Sequence, residues 1–341
     1  MFNTDMVSRQ SFKQKVIHDR LKFYLTPSNH NLQVFANVVR TGLASKRKFL
    51  LPQYFYDEKG SKLFEKISKL PEYYLTKLEA SILASNSEEI ASICNGVALV
   101  ELGSGNSRKT RTILQALLAR QESLQYFPID ISYEILKASS EALLDKYENL
   151  SITATVAEYD RGMSIAKKDI RDRKLVLFLG SSIGNFNPME SEGFMQMIRN
   201  NLQDQDMVLI GLDIHKDSRV LNAAYNDSKG ITTQFNLNIL ERINSELGGN
   251  FNLDKFEHYA FYNESKRRVE MHLVSKVEQE VSITGIGETI NFKEGENIHT
   301  ENSYKFTAEQ IDQMIENNFQ IVKTWADKKK WYSVILLAPV R

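Results

Sequence analysis

A doubly wound α/β fold is what this 341-residue sequence predicts: a parallel sheet closed by an antiparallel hairpin, with an inserted α+β region. Three observations carry that expectation. From Val97 to Asp213, short apolar runs alternate with helix-spaced stretches, which is the β-α-β-α order of a parallel sheet. The first of those runs leads into a glycine turn, Glu101-Leu-Gly-Ser-Gly105, and then into a helix. The alternation stops over residues 214–305 and resumes near Thr307, so a separate region interrupts it.

Residues 1–25 are polar and mixed in charge and read as an N-terminal arm or a short helix. Residues 30–44 read as a helix. Leu63, Phe64 and Ile67 recur at helical spacing, Pro71 interrupts, and a second helix starts near Thr76. This stretch holds Tyr54, Tyr56, Tyr73 and Tyr74. Half-buried tyrosine rings either pack the edge of a core or line a cationic ligand, because aromatic faces attract sulfonium and quaternary ammonium centres. The residues alone leave both open.

Val97, Leu99 and Val100 suit a buried parallel strand that ends at Glu101. Ile113, Leu114, Leu117 and Leu118 mark the helix after the turn. Strands follow at 125–130, 151–159, 174–180 and 207–213, with helices at 133–147 and 188–202 between them. In the inserted region a helix is expected at 232–247 and strands at 258–262, 268–277 and 280–283. Val269, Met271, Leu273 and Ser275 recur with a period of two, which gives one mostly apolar face. Thr307 and Gln310 have capping-box spacing, so a helix starts there. The last strands, 319–325 and 331–339, are joined by a connection too short for anything but an antiparallel pair.

Lys plus Arg and Asp plus Glu both number 43, so charge offers no case for nucleic acid or an anionic membrane as partner. Cys94 is the one cysteine, which rules out an internal disulfide and a cysteine-based zinc site. Histidines show no H-x-x-x-H pair, and no metal is expected. The N-terminus lacks the apolar core of a signal peptide, and no apolar run reaches membrane-spanning length. A reducing cytoplasm is the expected compartment.

The glycine turn constrains its ligand. A dinucleotide fingerprint wants a third glycine where Arg108 stands, and a Walker loop is absent, which disfavours a nucleotide-linked oxidoreductase. An acid followed by Gly-x-Gly suits S-adenosylmethionine (SAM), which has no phosphate to cradle. Asp130 ends the next strand, where a carboxylate accepts both ribose hydroxyls of an adenosyl group. The competing reading of Asp130 is a helix N-cap.

The chain from about Leu43 onward resembles the histidine-specific, SAM-dependent Nα-methyltransferase family of ergothioneine biosynthesis. The resemblance rests on Tyr54-Phe-Tyr-Asp57, Leu70-Pro-Glu-Tyr-Tyr74, Glu101-Leu-Gly-Ser-Gly105 with Lys109, Phe178-Leu-Gly-Ser-Ser-Ile-Gly-Asn185, Ala224-Tyr-Asn-Asp227, Phe235-Asn-Leu-Asn238, Val269-Glu-Met-His-Leu273 and Thr300-Glu-Asn-Ser-Tyr-Lys-Phe306. It implies a class I, Rossmann-like methyltransferase domain at 78–213 and 306–341, and a substrate-binding domain at 26–77 and 214–305. The cofactor would lie on Gly103, Lys109, Asp130, Glu158 and Tyr159, although the family usually has Asp-Phe where Glu158-Tyr159 stands. The amino acid would lie on Tyr73, Asn185, Tyr225, Glu301 and Ser303, in a pocket shaped by Tyr56 and Met271.

In this resemblance Asn185 and Tyr225 serve the carboxylate of L-histidine. Glu301 and Ser303, two apart in an extended segment, point the same way and grip the imidazole. The implied reaction is three successive methylations of the α-amine, giving hercynine, with Tyr56 or a water held by Asn185 taking the proton. Each residue has a plain structural alternative: Asn185 as the cap of the helix near Pro188, Tyr225 as a core tyrosine, Glu301 as a solvated loop acid. Competing functions are the same chemistry on tryptophan or tyrosine, and a SAM-binding regulator without activity. The expected state is a monomer with a small-molecule substrate.

Overall fold

The computed structural model describes residues 12–26 and 28–340. Its strands, in chain order, are β1 (Lys13–His18), β2 (Leu21–Leu25), β3 (Val97–Leu102), β4 (Leu124–Asp130), β5 (Leu150–Val156), β6 (Arg173–Phe178), β7 (Met207–Asp213), β8 (Phe256–Asn263), β9 (Arg268–Ser275), β10 (Gln279–Ile283), β11 (Glu288–Phe292), β12 (Asn297–Tyr304), β13 (Phe319–Ala326) and β14 (Tyr332–Pro339). Its α-helices are α1 (Ser28–Ala44), α2 (Glu58–Ile67), α3 (Tyr74–Ile93), α4 (Thr110–Leu118), α5 (Tyr133–Leu144), α6 (Tyr159–Asp169), α7 (Pro188–Asn200), α8 (Ser218–Tyr225), α9 (Ile231–Leu247) and α10 (Ala308–Ile315).

The central sheet runs β1-β2-β5-β4-β3-β6-β7-β14-β13. Neighbours from β2 to β7 are parallel, and β14 lies antiparallel to both β7 and β13. This is the parallel sheet with a terminal hairpin that the alternation predicts. Each inner strand is apolar on both faces, because helices cover both. Leu99 belongs to a layer with Ile82, Ile113 and Phe235. Its neighbours Ala98 and Val100 belong to the opposite layer with Met163, Phe194 and Ile311.

Part of the N-terminal arm differs from expectation. Residues 12–25 form the β1–β2 hairpin rather than a helix, and β2 pairs in parallel with β5. Leu21 and Phe23 are buried, whereas β1 is exposed along its whole length. An edge strand needs no apolar face of its own, which is why it reads as polar. Residues 1–11 lie outside the described residues. Helices α6 and α8 and strands β11 and β12 also go beyond the elements predicted above.

The inserted region makes a three-stranded antiparallel sheet, β12-β9-β8, and a β10–β11 hairpin. Helix α9 packs against α2 and against β8 and β9. Two backbone bonds pin the region to the mouth of the main sheet. Phe306 N donates to Asp213 O (2.9 Å) and His215 N donates to Phe306 O (3.0 Å). The end of β12 is thereby held beside the carboxyl end of β7, where open α/β sheets carry their ligands.

Candidate active site

The turn after β3 is built for close approach. Gly103 and Gly105 both have positive φ, +68° and +49°, which favours glycine. A Cβ on Gly103 would lie 3.0 Å from the Tyr159 hydroxyl. The Asp130 carboxylate accepts from Gly105 N (2.9 Å) and Ser132 N (3.0 Å), so it ties the turn to the end of β4. The N-cap of α5 is Ser132, not Asp130. Burial raises the Asp130 carboxyl above its ordinary range, opposed by those N–H bonds. Burial likewise raises the Tyr159 phenol, whose ring packs edge-on against Phe178 and Phe194. Glu158 is exposed and stands at the N-cap of α6.

Two acids near the turn serve the fold. Glu101 is buried and accepts from Thr110 and Tyr126, and burial pushes it up to about 7. Glu79 is fully buried; it accepts from Gly180 N (2.7 Å) and Tyr332 Oη (2.7 Å), and ion-pairs with Lys109. Lys109, which the resemblance assigns to the cofactor, thus stands at the turn as half of an ion pair with a buried carboxylate. Sequence reading missed Glu79, yet a signal exists. It stands inside the apolar stripe of α3, with Leu75 one turn before and Ile82 and Leu83 one turn after.

The second half of the site hangs on β12. Opposite β9, His299 pairs with His272 but Glu301 pairs with Met271, so Thr300 is an extra residue, a bulge. Thr300 Oγ1 donates to Asn236 Oδ1 (2.7 Å) and Met271 O (3.1 Å), which fixes the bulge. The bulge sends His299 to one face and brings Glu301 and Ser303 onto the other, opposite Met271 and Val269. Met271 itself is buried in the core. Burial pushes the Glu301 carboxyl up to about 7, with Lys305 opposing the shift.

Tyrosines surround this pair. Burial first, and then Glu301, pushes the Tyr56 phenol well above its usual range; Tyr73, Tyr159 and Tyr225 act on it too. Tyr73 and Tyr225 are raised by burial and by Glu301 as well. Phe64 and Phe235 pack against Tyr56, and Tyr73 lies edge-on to Tyr225 at 6.3 Å. Asn185 ends a 3-10 turn, Ser182–Asn185, whose Gly184 abuts the Tyr304 backbone. The cap of α7 is Asn187, with Glu190 completing the box, so Asn185 is not spent there. Asn185 is half-buried at the end of that turn.

Behind the tyrosines lies a buried network that the sequence reading did not include. Tyr225 Oη donates to Ser303 Oγ (2.6 Å), and Lys305 Nζ donates to Ser303 Oγ (2.7 Å) and Tyr225 Oη (3.1 Å). Lys305 pairs with Asp213 at 2.9 Å, both fully buried. Asp213 also accepts from Tyr74 Oη (2.8 Å) and ion-pairs with Lys216. Tyr225 is a buried tyrosine, but a hydrogen-bonded one.

The chain matches, over residues 35–339, the family model described as histidine-specific methyltransferase, SAM-dependent. The chain belongs to that family. The histidine N-alpha-methyltransferase of Mycobacterium tuberculosis is 36% identical over 301 residues, 88% of this chain and 93% of that protein. The protein of the same name from Mycolicibacterium smegmatis is 37% identical over 290 residues, 85% and 90% of the two chains. A 4-dimethylallyltryptophan N-methyltransferase of Claviceps purpurea is 26% identical over 305 residues, 83% and 88%.

This SAM-dependent methyltransferase carries two further features away from the cluster. On the outer face of β9 and β12, Glu270, His272 and His299 each bring one possible ligand atom within 4.8 Å of the others. The Glu270 carboxylate is already paired with Arg268 at 2.7 Å. A cleft of about 560 Å³ opens beyond Lys216, lined by His215, Arg219, Tyr262 and Arg267; none of the site residues expected from sequence lines it. Among the described residues no helix is long and apolar enough to cross a membrane.

Proposed function

We propose that the chain is an L-histidine Nα-methyltransferase, converting histidine to hercynine with SAM as methyl donor, the first step of ergothioneine biosynthesis. The carrying observation is the pairing of Glu301 with Ser303 on the inward face of β12, beside Tyr56, Tyr73 and Tyr225. An acid and a hydroxyl side by side match the two nitrogens of one imidazole ring. An indole or a phenol has no second nitrogen for them, which disfavours tryptophan and tyrosine as substrates.

SAM supplies a methyl group on a positively charged sulfur. The turn residues fit such a group: Gly103 leaves the space a Cβ would fill, and Asp130 keeps lone pairs beyond the two it has committed. In this reading Asp130 takes the ribose, while Glu158 and Tyr159 flank the adenine. Asn185 donates to the substrate carboxylate, and Tyr73 and Tyr56 wall the α-amine. Aligning nitrogen with the methyl carbon and sulfur is the main source of rate. Raised tyrosine phenols stay neutral, so Tyr56 orients the free amine by hydrogen bonding, and the proton that the amine loses passes to water, directly or at the site beside Asn185. Tyrosine faces also stabilise the fixed positive charge of the trimethylated product. We further read residues 26–77 with 214–305 as the substrate-binding part of a cytoplasmic monomer. The single cysteine supports a reducing compartment.

Incubation with SAM and histidine, tryptophan or tyrosine, followed by mass spectrometry, tests the reading. Stepwise gain of one, two and three methyl groups on histidine is expected. Faster methylation of another amino acid, or none of histidine, overturns it.

A further inference from the structure

Lys305 is a fully buried ammonium just beyond β12; it donates to Ser303 Oγ (2.7 Å) and Tyr225 Oη (3.1 Å) and is ion-paired with Asp213 at 2.9 Å. An ammonium has no acceptor, so the direction of every one of these bonds is set. A buried lysine keeps its charge only beside a firm partner. Asp213 is held in turn by Tyr74 and Lys216.

A second donor reaches Ser303 from Tyr225. Tyr225 gives its proton to Ser303. Ser303 Oγ therefore receives two donors, from Lys305 and Tyr225, and a hydroxyl has two lone pairs. Only its own O–H is left, and it must be offered to whatever faces β12. The neighbouring Glu301 carboxylate, when ionised, is acceptor-only. The pair thus presents one donor and one acceptor, in a fixed order along the strand.

We propose that Lys305, clamped by Asp213, is a positioning residue that makes Ser303 an obligate donor. The site then takes a neutral imidazole in a single tautomer, with its N–H on Glu301 and its bare nitrogen on Ser303. An imidazolium offers two N–H groups, one of which would collide with the Ser303 proton. The substrate class is an azole with an N–H and an unprotonated ring nitrogen. This rests on the histidine reading above.

Two measurements test it. Nitrogen-15 NMR of ring-labelled histidine, bound to the intact protein with S-adenosylhomocysteine at neutral pH, should show one protonated and one bare ring nitrogen. Two protonated nitrogens in a bound ring overturn the inference while leaving the histidine reading intact. No bound histidine sinks both. In Lys305→Met, the KM for histidine should rise about tenfold or more, with kcat less affected and SAM affinity by calorimetry unchanged. The preference for histidine over pyrrolylalanine, which has the N–H but no bare nitrogen, should fall as it does in Ser303→Ala. Adding Lys305→Met to Ser303→Ala should change that preference no further. An equal loss on both amino acids would assign Lys305 a purely structural role and overturn the inference. Should Lys305→Met fail to fold, the NMR result on the unaltered protein decides.

Discussion

In the proposed reading substrate choice turns on Glu301, whose carboxyl is pushed up to about 7 by burial, against the pull of Lys305. A carboxyl raised this far is protonated below that value and becomes an acceptor only above it. The kcat/KM for histidine should therefore rise as pH increases through about 7, because that parameter reports groups of the free protein. In Glu301→Gln the part of the rise that belongs to this carboxyl should vanish, leaving the titrations of the substrate's own ring and α-amine. A wild-type profile without the step would remove the acceptor role. Glu301→Ala should lower kcat/KM for histidine about 10- to 100-fold, as expected for a charged hydrogen bond, with SAM affinity retained. In the same proposed reading Asp130 is the matching residue on the cofactor side. Asp130→Ala should weaken SAM binding about tenfold or more in calorimetry, since it removes a charged acceptor and unties Gly105. An unchanged affinity would end the ribose assignment.

Elements decide how those residues meet. The β3–α4 turn works because Gly103 takes a left-handed conformation and leaves room for Tyr159. Gly103→Ala should destabilise the fold by about 1–2 kcal/mol of backbone strain and also displace the Tyr159 hydroxyl, weakening SAM binding. Gly96, at the other end of β3, has φ +72°, and an added methyl there would meet nothing within 4 Å. Gly96→Ala should show the same strain in thermal melts without loss of SAM affinity. Equal SAM affinities in the two variants would mean that Tyr159 does not shape the site. On β12 the bulge at Thr300 does the corresponding work, because it separates the facing of His299 from that of Glu301.

At the scale of the molecule, the proposed site and a buried ion pair occupy opposite ends of the sheet. The candidate site residues gather at the carboxyl ends of β3, β4, β6 and β7, where the inserted region is pinned through Phe306 and Asp213. At the other end, Lys174 and Asp206 form a buried ion pair at 3.0 Å, and Asp206 also accepts from the Lys174 and Gln203 backbone N–H groups. Asp206→Ala strands a buried lysine and should lower the unfolding free energy by about 3–5 kcal/mol in urea titrations. KM for SAM and histidine should be unchanged in the folded protein. A loss of substrate affinity would show that the two ends are coupled.

The sequence by itself determined the parallel strands β3 to β7, most of the helices between them, the closing hairpin and the glycine turn. Those features are local: apolar runs of the right length, helical spacing and positive-φ glycines act on near neighbours. The family resemblance singled out Glu301 and Ser303, and their spacing of two on an extended segment put them on one face. Tertiary structure alone decided where the β1–β2 edge goes, that Lys109 is engaged by Glu79, and that Lys305 and Asp213 stand behind Ser303. Acids and lysines read as solvated until the partner that neutralises them is known. Here Glu79 meets Tyr332 and Gly180, and Asp213 meets Tyr74, across long stretches of chain. Burying a charge depends on that distant partner, and no local pattern encodes it.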